Sequence, residues 1–159
     1  MALHRHLLLA GLVAALAACG EDGTDTGDPG LCGLPADAAF VLAGPDLDSA
    51  PLIQVDESYV VQLIDGQPAL IRLKLASPGV VDLLLDRPDA LQSLDLDGDA
   101  LEIPDPLPVA TCPEPRPVAY TVDLGDPGVY TVQLGPLPGV SEVWLTARWV
   151  GPSQSTPSH

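Results

Sequence analysis

Apolar residues alternate with polar ones through much of the chain, and Pro or Gly interrupts the alternation every few residues. This period of two recurs in 71–75, 120–124 and 130–134, and it places successive side chains on opposite faces of a β-strand. No long stretch has helical spacing. The same reading predicts further strands at 38–43, 58–64, 80–86, 91–96, 100–103 and 142–150. With 18 Pro and 15 Gly as punctuation, the pattern predicts an all-β domain over 37–150: an antiparallel, jelly-roll-like β-sandwich of about eight or nine short strands.

Two loops are predicted to close hairpins. If the apolar residues of 120–124 and 130–134 share one face, residue 124 pairs with 130 and 122 with 132, and 125–129 is the loop. The same argument pairs Leu75 with Val81. Pro78 and Gly79 between them suit a type II turn, because Pro presets one dihedral and Gly accepts the positive one that follows.

The densest polar cluster of the chain consists of Asp95, Asp97 and Asp99. Alternate carboxylates beside a Gly can converge on a hard cation, so these residues are a candidate Ca²⁺ site. The spacing is similar to the start of an EF-hand loop, although Ala100 stands where that loop needs Gly. The alternative is a two-residue turn at Asp97-Gly98 that pairs 94 with 101. The apolar pattern favours the turn, since it places four apolar side chains on one face: Leu94, Leu96, Leu101 and Ile103.

The first 18 residues have the layout of an export signal: a start carrying Arg5, a short apolar run, and small residues before Cys19. Leu-Ala-Ala-Cys at 16–19 resembles the lipobox of bacterial lipoproteins. The resemblance implies cleavage before Cys19 and attachment of lipid to its thiol, which would anchor the protein without a transmembrane helix. The alternative is an ordinary signal peptide with an incidental Cys.

The segment 19–36 begins with an acidic, Gly-rich stretch that has little to bury, and it reads as a flexible tether. Gly20 is not the Asp that resembles an inner-membrane retention signal, so delivery to the outer membrane is expected, with either face left open. Residues 151–159 are expected to be a disordered tail.

Cys32 and Cys112 remain once Cys19 carries the lipid. An even remainder in an exported protein predicts a disulfide, because the environment beyond the inner membrane is oxidising. Two free thiols or a metal-binding pair are the alternative. That pair would lack further ligands, since the only His after Cys19 is the final residue, His159.

The charge balance excludes nucleic acid as a partner. The chain has 22 Asp and Glu against 6 Lys and Arg, for a formal charge of −16, and lacks the basic footprint that binding to phosphates needs. The missing internal His excludes Ser-His-Asp and Cys-His catalysis. We therefore expect a non-catalytic, lipid-anchored binding or structural module. A Ca²⁺-dependent adhesion or assembly domain is the alternative, and a hydrolase that uses two carboxylates is a distant third.

The segment from about residue 58 to 150 resembles bacterial pre-peptidase C-terminal domains. The likeness is strongest in 118–135, where Tyr-Thr-Val-x-Leu-Gly occurs twice, followed by Glu-Val-Trp-Leu-Thr-Ala at 142–147. The resemblance implies a jelly-roll-like sandwich of a secreted protein, without catalytic residues of its own.

Overall fold

Two β-sheets packed face to face make up the part of the chain that the computed structural model describes, residues 29–153. The all-β sandwich is confirmed, with eleven strands in this part instead of about eight or nine. The predicted signal segment 1–18, the predicted lipid attachment site Cys19, residues 20–28 of the predicted tether and residues 154–159 lie outside the described residues. The elements are α1 (Pro29–Cys32), β1 (Ala39–Leu42), β2 (Leu52–Gln54), β3 (Glu57–Gln62), β4 (Ala69–Leu75), β5 (Gly79–Leu85), β6 (Leu91–Leu96), β7 (Asp99–Ala100), β8 (Leu107–Pro108), β9 (Val118–Leu124), β10 (Gly128–Leu134) and β11 (Glu142–Pro152).

Both sheets are mixed, not purely antiparallel. The six-stranded sheet has the order β1-β3-β11-β5-β9-β8, and the five-stranded sheet has the order β2-β4-β10-β6-β7. The pairs β1–β3 and β2–β4 are parallel, and the other pairs are antiparallel. The two parallel pairs arise because the chain crosses from one sheet to the other after each of its first three strands. Two successive crossings return it to the same sheet in its original direction.

The two predicted hairpins are wrong, because each loop connects the two sheets. β9 pairs with β5 and β8, whereas β10 pairs with β4 and β6 in the other sheet. β4 and β5 are likewise in different sheets, so Leu75 does not pair with Val81. The alternation correctly identified the buried faces. Those faces meet across the interior of the sandwich, and burial alone does not distinguish a partner in the same sheet from one in the opposite sheet.

The loop 125–127, which connects β9 to β10, is held by a hydrogen bond from a residue near the start of β10. The Tyr130 hydroxyl, on a side chain that is 1% exposed, donates to the carbonyl oxygen of Asp126 at 2.6 Å. A tyrosine that bonds to backbone a few residues upstream is a recurring device where a sandwich chain changes sheet. This bond stabilises the crossing that replaces the predicted hairpin.

Pro78-Gly79 does not form the predicted type II turn. Gly79 begins β5 and is not among the described glycines with a positive φ, which are Gly66, Gly98, Gly135 and Gly139. Its lack of a side chain serves packing instead, because the indole ring of Trp149 lies directly against it.

The core comprises the inward-facing residues of both sheets. Side chains from β3, β4, β5, β9, β10 and β11 form one buried cluster, in which Ile71, Leu83, Val132 and Leu145 have no solvent exposure. Two strands in the described part escaped prediction, β2 and β8. Each has two or three residues and at least one exposed Leu, and each adjoins or contains a Pro, so neither shows a period of two.

Candidate functional site

The predicted bond between Cys32 and Cys112 is present, with the two Cα atoms 5.0 Å apart. It joins the end of α1 to the loop between β8 and β9, across 80 residues of sequence. Arg116 in the same loop donates from Nε to the carbonyl oxygen of Cys112 at 3.0 Å. The bond therefore fixes the segment that leads from the N-terminus onto one face of the sandwich.

That face is the outer face of the six-stranded sheet, and Trp144 lies on it beneath the disulfide. Val143 and Leu145 on either side of Trp144 belong to the core, so the indole points outward. It is nevertheless only 8% exposed. A hollow of about 480 Å³ lies over it, lined by Cys32, Gly33, Leu34, Asp86, Arg87, Pro115, Pro117 and Trp144.

Two buried N–H donors of this hollow lack a hydrogen-bond partner among the described residues: Trp144 Nε1 and Arg87 Nε. Most buried polar groups in native proteins have a partner. The Arg87 guanidinium also donates to Asp86 at 3.1 Å, and this contact raises the pKa of Arg87, which keeps the group charged. The hollow combines an aromatic ring with two prolines, a lining that suits an apolar group.

The outer face continues from Trp144 to the edge of the sheet. Trp144 is opposite Val60 of β3, which is opposite Phe40 of β1, so the three side chains form a row across three strands. Val60 is 5% exposed, whereas Phe40 is 72% exposed and Leu42, two residues further along β1, is 63% exposed. The row therefore passes from a covered aromatic residue to an open apolar edge. We call the residues Leu34, Phe40, Leu42, Val60 and Trp144 the outer apolar surface.

The Asp97-Gly98 turn is confirmed. Asp97 (φ 55°) and Gly98 (φ 90°) occupy the two positions of the turn, and the Leu101 N–H donates to the Leu94 carbonyl at 2.8 Å. Positive φ at both central residues is what a two-residue hairpin turn of this type requires. Leu94 is buried, and the other three apolar side chains pack against the core as expected: Leu96, Leu101 and Ile103.

The same turn separates the three candidate cation ligands. Asp95 pairs with Ala100, and Asp99 pairs with Leu96, so Asp95 and Asp99 lie on opposite faces of the hairpin. Asp97 is at the turn between them. No group of three or more His, Cys, Asp or Glu within residues 29–153 is arranged to hold a metal ion. Binding of Ca²⁺ by these residues stays a prediction, and it would require the hairpin to rearrange.

The aromatic side chains offer little surface for stacking against a sugar ring. The chain has 6 aromatic residues, all in the described part, and Phe40 is the only one of these that is exposed. Tyr59, Tyr120 and Tyr130 are core residues, and the alternation predicted this for Tyr120 and Tyr130. Trp149 packs against the core, whereas Trp144 is on the outer face, so the two tryptophans lie on opposite faces of β11.

No helix within residues 29–153 has the length and apolar character needed to cross a membrane. The sequence matches no protein-family model, and no curated protein is significantly similar to it.

Sequence reasoning missed most of the outer apolar surface. Leu34 was assigned to the tether, and Phe40 and Leu42 were assigned to a strand without regard to its position at an edge. The available signal was the run Ala-Ala-Phe-Val-Leu-Ala at 38–43, which is apolar throughout and does not alternate. A continuous apolar run in a sandwich is expected to be covered on both faces, and here one face is open.

Proposed function

We propose that the protein is a lipid-anchored, non-catalytic binding module of the bacterial cell envelope, delivered to the outer membrane and attached through Cys19. The observation that carries the proposal is the Cys32–Cys112 disulfide. A disulfide that spans a domain is typical of proteins that fold outside the reducing cytosol. It accounts for two of the 3 Cys of the chain, and the third, Cys19, is at the position where the lipobox resemblance requires a lipid-bearing thiol.

The distance between anchor and fold supports tethering. Cys19 and Cys32 are separated by a stretch whose first residues, 20–28, are Gly, Thr, Asp and Glu. Such a stretch can act as a flexible linker between the membrane and the folded domain. At Cys19, two or three acyl chains would hold the protein to the membrane far more firmly than one. Removal of 1–18 takes away Arg5 and no carboxylate, so the formal charge changes from −16 to −17. This charge opposes close contact with anionic surfaces and attracts basic partners.

Binding is supported over catalysis by the residues available. After Cys19 the only His is at the final position, and the outer apolar surface contains no acid–base pair. What that surface does contain is apolar area and two aromatic rings, those of Phe40 and Trp144, which are features of recognition sites.

Labelling of expressing bacterial cells with radioactive palmitate tests the proposal. The intact chain should incorporate label and sediment with membranes, and Cys19→Ala should lose both properties. The Cys32→Ser/Cys112→Ser double variant is the matched control, because it removes two thiols but keeps the anchor, and it should still incorporate label. Membrane association of an unlabelled Cys19→Ala chain would overturn the lipid anchor.

A further inference from the structure

The edge of the six-stranded sheet formed by β1 lacks the protection of the other sheet edges. Exposed edges are normally blunted by shortness, charge or Pro, because open backbone pairs with other strands. β8 has two residues and includes Pro108; β7 has two residues and includes Asp99; β2 has three residues and follows Pro51. β1 is Ala-Phe-Val-Leu, with neither charge nor Pro, and β3 is its only partner among the described strands.

The open backbone groups of β1 belong to Phe40 and Leu42, two of its three exposed residues. Beyond the end of β1, the Ala43 N–H donates to the Gln62 carbonyl of β3 at 3.0 Å. Successive residues of a strand direct their N–H and C=O groups to alternate sides, so those of Phe40 and Leu42 point away from β3. These residues are also 72% and 63% exposed. The edge therefore presents two donors, two acceptors and two apolar side chains to an incoming strand.

An acidic hollow lies at the start of the same strand. It has a volume of about 490 Å³ and is lined by Asp37, Asp56 and Glu57, together with Pro35, Ala38, Ala39 and Ser58. Two of the carboxylates accept hydrogen bonds from neutral donors: Asp56 from the backbone N–H of Trp149 at 2.8 Å, and Glu57 from the Tyr59 hydroxyl. No Lys or Arg is among the lining residues. The hollow is therefore complementary to a basic side chain.

We propose that β1 pairs with an extended segment of a partner protein that has alternating apolar side chains and a Lys or Arg over the acidic hollow. The inference rests on the proposed function as a binding module and names its partner. An antiparallel strand, the more stable arrangement per residue, places the basic residue at the C-terminal end of the segment. A second copy of this chain lacks the complement, because its own β1 has no basic residue and both copies are strongly acidic.

The test uses the full chain in detergent and a fluorescent peptide, acetyl-Thr-Val-Thr-Val-Thr-Lys-amide, with a control peptide that ends in Glu. Anisotropy should show the Lys peptide binding at least about tenfold more tightly than the Glu peptide, with a difference that shrinks at high salt. Asp37→Asn should reduce that difference. Absence of Lys-peptide binding at millimolar concentration, or equal binding of both peptides, overturns the proposal.

Leu42 variants separate strand pairing from simple apolar contact. Leu42→Pro removes the N–H that points to the free edge, a position where Pro is tolerated, and should weaken binding by about tenfold or more. Leu42→Thr removes apolar area but retains the N–H, and should keep most of the affinity. Unfolding curves verify that both variants fold. Equal binding by Leu42→Pro and the unaltered chain, or a dimer that Leu42→Pro dissociates, overturns the proposal. Palmitate labelling of Cys19 is independent of these outcomes, so a failure here leaves the lipid anchor standing.

Discussion

The indole of Trp149 lies against Gly79 so closely that any side chain at that position would have to displace the ring. A Cβ built on Gly79 would be 2.0 Å from both Cζ3 and Cη2 of the ring. Trp149 lies near the end of β11 and Gly79 at the start of β5, next to the shift in register between these two strands. The contact closes one end of the sandwich.

Gly79→Ala should therefore destabilise the fold by about 1–3 kcal/mol, because the ring must move out of its site. Urea unfolding measures the change. Gly151→Ala is the matched control: a Cβ there meets nothing within 4 Å, so its effect should stay within about 0.5 kcal/mol. In a Trp149→Leu background the effect of Gly79→Ala should shrink. An undiminished effect there would show that the backbone at Gly79, and not the indole, requires Gly.

Loss of the disulfide should lower the free energy of unfolding by up to about 4 kcal/mol, the chain-entropy value for a loop of 80 residues. The change is Cys32→Ser together with Cys112→Ser, measured by thermal unfolding. In a Trp149→Phe background, emission should also shift to longer wavelength, because Trp144 loses part of its cover. A reducing agent should destabilise the unaltered chain and leave the double variant unchanged. Identical stability of the two chains would contradict the role given to this bond.

The tyrosines should make stability fall at high pH. Burial, and then the hydrogen bond to Glu57, raises the pKa of Tyr59 to about 12, above its ordinary value of 10.0. The pKa values of Tyr120 and Tyr130 are also raised, mainly by burial. Because the unfolded chain ionises first, stability is fully present below pH 10 and declines as the pH rises through about 12.

Absorbance near 295 nm should accordingly show tyrosinate at a higher pH in the folded chain than in urea. Tyr59→Phe should flatten the fall in the free energy of unfolding above pH 10, once its loss of stability at neutral pH is subtracted. Superimposable titrations of the folded and unfolded chains would contradict the burial of the hydroxyls.

Millimolar Ca²⁺ should leave the melting temperature unchanged, because the hairpin places Asp95 and Asp99 on opposite faces. Asp97→Asn should also be tolerated, since Asn adopts a positive φ readily and suits this turn. Asp97→Val should destabilise the hairpin, because a β-branched residue disfavours that conformation. A rise in melting temperature with Ca²⁺ that Asp97→Asn abolishes would establish the cation site and show that the hairpin rearranges.

Features of the fold that adjacent residues determine could be predicted from the sequence, whereas features that depend on distant strands could not. The Asp97-Gly98 turn was predictable because Asp and Gly both adopt a positive φ readily, and two adjacent residues of this kind favour a two-residue hairpin turn without help from the rest of the chain. The pairing of 122 with 132 was wrong because Val122 and Val132 are equally buried whether they lie side by side or across the core. The disulfide between Cys32 and Cys112 was predictable because these are the two Cys that remain once Cys19 is assigned to the lipid. The outer apolar surface was not predictable, since its existence depends on β1 being an edge, which only the strand order reveals.

The position of the disulfide also determines how the domain carries a mechanical load. Tension on a tether from Cys19 would arrive at Cys32, seven residues before β1 begins at Ala39. Through the bond to Cys112, the same tension also reaches the loop before β9, on the far side of the sheet from β1. A pull on the proposed anchor would therefore be shared between two distant strands, and β1 would not be the sole connection between that anchor and the fold.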